Sequence, residues 1–149
     1  MRQENEYLLQ KAGSCCTLYA LVNALIYYDK EAPEFGSQAW NILVDLIGCK
    51  YGSAISTQAA AYELGLELFK INAGDCYLYP PCILCVYTPI AHSVLVIGGS
   101  KECIRVVNYD PKVPVVADIA WKGIERTSGR VSVGLDMEGI AYQAVLVRD

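Results

Sequence analysis

Gln10-Lys-Ala-Gly-Ser-Cys15-Cys16-Thr-Leu-Tyr-Ala-Leu-Val-Asn-Ala-Leu25 sets a polar residue, a small-residue turn and a cysteine pair ahead of an apolar run. Leu18, Leu21, Val22 and Leu25 recur at i, i+3, i+4 and i+7, the spacing of one face of a buried helix. Ser14 has the side chain of an N-cap, and Gly13 loosens the turn before it. Both cysteines then fall in the first helical turn, where unpaired N–H groups and the positive end of the helix dipole favour an anion. A thiolate is stabilised in that setting, and the nucleophile of a cysteine hydrolase needs it. Buried cysteines are also ordinary small hydrophobes, so the helix start alone does not separate a nucleophile from a core residue.

The chain has 149 residues, which fits one domain over 1–149. That length buries roughly two-thirds of the surface of the unfolded chain. Hydrophobic residues make up 54% and charged residues 19%, too apolar a balance for extensive disorder. The formal charge is -4 and no basic run occurs, which argues against nucleic acid as a partner. No apolar run approaches the roughly eighteen residues of a membrane span. The first residues, Met1 to Glu6, carry both signs and lead into no signal-type stretch. The expectation is a soluble, cytoplasmic protein that needs no cofactor. In a reduced compartment its seven cysteines, Cys15, Cys16, Cys49, Cys76, Cys82, Cys85 and Cys103, remain thiols. Oligomeric state leaves no mark in the sequence.

Helices fill the first half. Asp29 to Gly36 is rich in helix breakers, and a second helix follows from about Ser37 to Ile47 with Trp40, Leu43, Val44 and Ile47 on one face. Gly48 ends it, and a loop from Cys49 to Ala54 leads to a third helix. This one runs from a Ser56 cap to Leu64, is closed by Gly65, and packs through Ala59, Ala60 and Leu64. The second half changes period. Leu66 to Ile71 alternates as a strand does, and Cys82 to Tyr87, after Pro80-Pro81, reads as a central strand. Ser93 to Ile97 and Ile104 to Tyr109 flank a Gly98-Gly99 turn. Val113 to Trp121 and Ile140 to Val147 add further short elements, and Lys122 to Leu135 reads as a loop. Helices first and strands later give an α+β domain with a mainly antiparallel sheet.

His92 is the only histidine, so imidazole-assisted chemistry has one candidate. A hairpin about Gly98-Gly99 sets His92 opposite Tyr109, within two residues of register, and brings Asp110 beside it. A carboxylate there accepts the Nδ1–H bond and fixes the tautomer. A cysteine at a helix start, a histidine at the head of a strand and an acid after the next strand make an acyl-transfer constellation.

The pattern resembles the papain-like cysteine peptidases, above all the C39 group that cleaves leader peptides after a double glycine. Members carry a Gln six residues before the nucleophile, and six residues after Gln10 stands Cys16, so the resemblance selects Cys16 over Cys15. It also implies that Gln10 is the oxyanion-hole donor and Asp110 the third triad member. Gly52 to Leu66 resembles the second conserved helix of the family, Pro81-Cys-Ile-Leu84 the proline-led strand, His92 to Gly98 the histidine strand, and Asn108-Tyr-Asp-Pro111 the Asp-Pro element. The similarity extends from Gln10 to about Gly123. Two positions depart from it: the family has Asp before and Gly after the nucleophile, where this chain has Cys15 and Thr17. The transporter segments fused to many C39 peptidases are absent from this sequence, so a peptide or protein substrate need not be a secreted leader. The implied activity is peptide hydrolysis through Cys16, His92, Asp110 and Gln10.

Other accounts compete with this one. Cys82-Ile-Leu-Cys85 has a zinc-type spacing, and Cys15, Cys16 or His92 would complete four ligands. Strand alternation puts Cys82 and Cys85 on opposite faces, which argues against a metal and equally against a redox pair. A papain-like scaffold used only for binding would exploit the eleven tyrosines. Acyl transfer and deamidation use the same thioester as hydrolysis.

Overall fold

The computed structural model describes residues 6–10, 15–47, 54–87, 91–122, 124 and 140–147. Three helices, α1 (Cys16–Tyr27), α2 (Gln38–Ile47) and α3 (Ala54–Glu63), precede the strands. These are β1 (Leu66–Asn72), β2 (Cys82–Tyr87), β3 (Ala91–Gly99), β4 (Cys103–Val107), β5 (Val116–Ala120) and β6 (Ile140–Leu146). The strands form one antiparallel sheet in the order β1-β6-β2-β3-β4-β5. The protein is α+β, as the change of period along the chain expected.

Helix α1 is buried all round rather than along one face. Every residue from Cys16 to Leu25 is inaccessible, because the helix lies on β2 and β3 and carries α2 on its far side. A helix apolar on all faces has no solvent side to present. Tyr19 meets the Trp40 ring edge-on at 5.0 Å and stacks on Phe35 at 6.2 Å, closing the α1–α2 layer. Cys15, not Ser14, occupies the N-cap position, and it makes no side-chain cap. Gly13, Ser14, Gly48 and the loop 49–53 lie outside the described residues.

Ser37 caps α2, its Oγ accepting the Trp40 N–H at 3.2 Å. Ser56 does not cap α3. The helix begins at Ala54, and Ser56 Oγ donates instead to the Ile47 carbonyl, tying α3 to the end of α2. Its buried positions are Thr57, Ala60 and Ala61, with Leu64 packed on the same core, so Ala60 and Leu64 of the expected face hold and Ala59 is only half-buried. A 3-10 segment over Ala73–Leu78, invisible to periodicity, fills the gap before β2. Of the loop expected over Lys122 to Leu135, only Lys122 and Ile124 are described. Both are helical, and Ile124 is fully buried.

The β3–β4 hairpin sets the site. Leu95 pairs with Val107 and Val96 with Val106, and a bulge at Ile97 then shifts the register by one residue before Gly98 meets Arg105. His92 lies inside β3, its second residue, rather than ahead of the strand. Gly99 has φ +111, and a Cβ there would stand 2.5 Å from the Cys103 carbonyl oxygen and 2.6 Å from Ile104 Cα. Gly98 is also at positive φ, but a Cβ would meet nothing. Gly99→Ala is therefore expected to destabilise the protein by about 2 kcal/mol or more, through clash added to backbone strain. Gly98→Ala should cost clearly less in the same urea titration, and equal losses would contradict this geometry.

Candidate active site

Cys16 opens α1, where the helix N–H groups point outward. Its side chain is nearly buried, and its Sγ accepts the backbone N–H of Ser93 at 3.4 Å. Ser93 follows His92 in the chain. Standard peptide geometry therefore keeps His92 Cα within about 6 Å of the Cys16 sulfur. The helix head and the histidine strand are in contact through that amide.

A second contact reinforces the first. Thr17 Oγ1 donates to Ser93 Oγ at 3.0 Å, and both residues are fully buried. Cys85 Sγ stands 3.9 Å from the same Ser93 oxygen, on the paired strand β2. Thr17, which departs from the family pattern, thus joins the residue after the candidate nucleophile to the residue after the histidine. Glycine at this position would leave Ser93 Oγ without that donor.

The imidazole is set by backbone. His92 Nε2 lies 2.7 Å from the Asn108 carbonyl oxygen. A carbonyl only accepts, so in the neutral ring Nε2 carries the proton and Nδ1 presents its lone pair. The sequence expectation was the reverse, with Nδ1–H given to the Asp110 carboxylate. Asp110 Oδ1 instead accepts the Lys112 N–H at 2.8 Å, the turn geometry of an Asp-Pro sequence. Its charge still acts on the ring. Burial lowers the His92 pKa from its ordinary value, while the Asn108 bond and the Asp110 charge oppose the fall.

Gln10 is placed by Asn108. The Gln10 N–H donates to Asn108 Oδ1 at 3.0 Å, and Asn108 Nδ2 donates to the Leu8 carbonyl at 2.8 Å. Asn23, fully buried in α1, grips the same strap: its Oδ1 accepts the Leu8 N–H at 2.8 Å and its Nδ2 donates to Leu8 O at 3.1 Å. Motif spacing points to neither asparagine, although each carries a signal. Asn23 is a lone polar residue in an apolar helix and must find partners. Asn108 takes φ 61, a left-handed conformation that asparagine tolerates better than most residues.

Cys76, Cys82 and Cys85 are core residues. Cys82 belongs to the core on the sheet face away from α1, and Cys85 to the core beneath α1, as alternation expects. Burial pushes the Cys76 thiol up to about 12 and the Cys82 thiol higher still, and Cys82 Sγ donates to Tyr79 O at 2.8 Å. Such thiols are poor nucleophiles near neutrality. Among the described residues, no three His, Cys, Asp or Glu side chains are grouped to hold a metal ion. No described helix is long and apolar enough to cross a membrane.

No protein-family model matches the sequence, and no curated protein matches it. Solved structures do. The peptidase domain of Streptococcus ComA, a bi-functional ABC transporter involved in quorum sensing, superposes with a TM-score of 0.67 at 20% identity, covering 93% of this chain and 96% of that one. A double glycine motif protease from an AMS/PCAT transporter, in complex with the leader peptide, gives 0.61 at 21% identity over 92% and 88%. The N-terminal peptidase C39-like domain of a toxin secretion ATP-binding protein from Vibrio parahaemolyticus gives 0.54 at 18% over 84% and 94%. At these identities the likeness establishes the fold: this chain has the α+β fold of C39 peptidase domains.

Proposed function

We propose that the protein is a cysteine peptidase that cleaves a peptide amide through Cys16 and His92. The observation that supports this most is the meeting of the helix-head thiol with the histidine strand, the Ser93 amide lying on Cys16 Sγ one residue after a histidine whose Nδ1 is the basic nitrogen. His92 Nδ1 takes the Sγ proton as sulfur bonds to the scissile carbonyl carbon. Charge developing on the carbonyl oxygen is met by the Cys16 backbone N–H and the Gln10 side-chain amide. The adduct collapses, the C–N bond breaks, and the amine leaves with the proton held on His92. Water then gives its proton to Nδ1, attacks the thioester, and releases the acid as the thiol reforms. Asp110 supports the imidazolium through its charge.

The substrate class follows from the same reading. One structural neighbour is a double glycine motif protease holding a leader peptide, so a peptide with Gly-Gly before the scissile bond is the first substrate to offer. With a fluorogenic Gly-Gly peptide amide, Cys16→Ala is expected to reduce kcat/KM by at least about 10³-fold. Cys15→Ala should retain most of the activity. Loss in Cys15→Ala with activity kept in Cys16→Ala would contradict the assignment.

His92 also fixes a pH dependence. Its folded pKa lies below its unfolded value, so the unfolded chain binds more protons as pH falls below about 6.5. This group's contribution to stability is therefore full above that pH and is lost on acidification, down through the folded pKa. Asp110→Asn removes a charge that holds the pKa up, and should lower it further. The lone imidazole signal in an NMR titration reads both effects directly; an upward shift in Asp110→Asn would contradict the arrangement.

A further inference from the structure

We propose that Asn108 is a positioning residue that holds the candidate oxyanion donor Gln10 and the His92 ring in one frame. For its catalytic consequence the inference rests on the peptidase reading above. Each polar group of Asn108 has a partner at the site or beside it. Its carbonyl takes His92 Nε2 at 2.7 Å, and its N–H is anchored to Val115 O at 2.8 Å. Its Oδ1 takes the Gln10 N–H at 3.0 Å, and its Nδ2 grips Leu8 O at 2.8 Å. The last two bonds span 98 and 100 positions of sequence, so the N-terminal strap has its place relative to the histidine strand through this side chain.

The residue type matters in two ways at once. At φ 61 a branched or bulky residue would be strained, whereas glycine would fit but supply no side chain. Aspartate would fit and accept from Gln10, but it would turn a second oxygen toward the Leu8 carbonyl in place of a donor. Only an amide on a short stem meets both the backbone and the strap. An oxyanion donor displaced by about 1 Å can cost on the order of 10²-fold in rate, so a clamp at this point acts on turnover more than on binding.

Asn108→Gly is the decisive variant, because glycine tolerates the dihedral and keeps the backbone carbonyl for His92. Amide exchange at Gln10 should become at least about tenfold faster, as expected for a lost buried hydrogen bond. With the Gly-Gly fluorogenic peptide, kcat should fall about 10- to 100-fold with KM little changed. In a Gln10→Ala background the same substitution should cost little further, since the donor it positions is gone. Unchanged exchange at Gln10, or equal losses in both backgrounds, would overturn the proposal. Should Asn108→Gly not fold, Asn108→Asp keeps the acceptor. Because it also sets an oxygen against the Leu8 carbonyl, the strap should loosen and Gln10 exchange should quicken, and unchanged exchange would overturn the clamp. If the parent protein cleaves no peptide, the peptidase reading fails by itself, and Gln10 exchange alone decides whether the clamp exists.

Discussion

The docking of the head of α1 on β3 is the contact from which the rest of this structure is arranged. It brings Cys16 Sγ to the Ser93 amide and Thr17 Oγ1 to the Ser93 hydroxyl in a fully buried setting. A hydrogen bond of this kind is worth only about 1 kcal/mol net, but leaving one buried partner unmet costs about 1–3 kcal/mol. The penalty for separation, rather than the gain from contact, keeps helix and strand in register. By comparison, the Arg105–Asp118 pair on β4 and β5 has a good 2.9 Å geometry but is about half exposed, and such pairs contribute little. Water replaces a surface partner, whereas the Thr17–Ser93 pair lies where water does not reach.

The strap of residues 8–10 is held in a similar way. This short segment is gripped by two asparagines, Asn23 from α1 and Asn108 from the turn after β4. Their side-chain amides supply the donors and acceptors that a neighbouring strand would otherwise provide, so the strap's backbone is satisfied without joining the sheet. Helix, hairpin and strap converge on the region around Cys16 and His92, each tied there by buried or half-buried polar groups. The apolar layers beneath, with Tyr19 against Trp40 on one side and Leu95 and Val107 on the other, set the spacing that those polar bonds refine.

Much of this was legible in the sequence, for physical reasons that also mark where legibility ended. The 3.6-residue period of Leu18 to Leu25 and the alternation of Leu66 to Ile71 follow from burial, and both elements formed. The glycine pair marked the hairpin but not its turn: Gly98 and Gly99 end β3 and pair with Arg105 and Ile104, and the chain turns through Ser100 to Glu102. Cap positions were less secure: Ser56 found a carbonyl partner on α2 that no local rule contains. The His92 tautomer was not readable, because it depends on a backbone carbonyl at Asn108 and not on the nearby acid that motif logic favours. Thr17 looked like a departure from a pattern until its Ser93 partner, 76 positions away, was in view. Side chains whose partners are distant in sequence leave no periodic trace.

The proposed function requires the thiol at the head of α1 and the protein's single imidazole to be electrostatic neighbours. NMR titration of the His92 ring before and after capping Cys16 as a mixed methyl disulfide tests this most directly, since one histidine gives one unambiguous signal. With the sulfur capped, no negative charge there can favour the imidazolium, and the apparent pKa should fall. Superimposable titration curves for the free and capped protein would contradict the account.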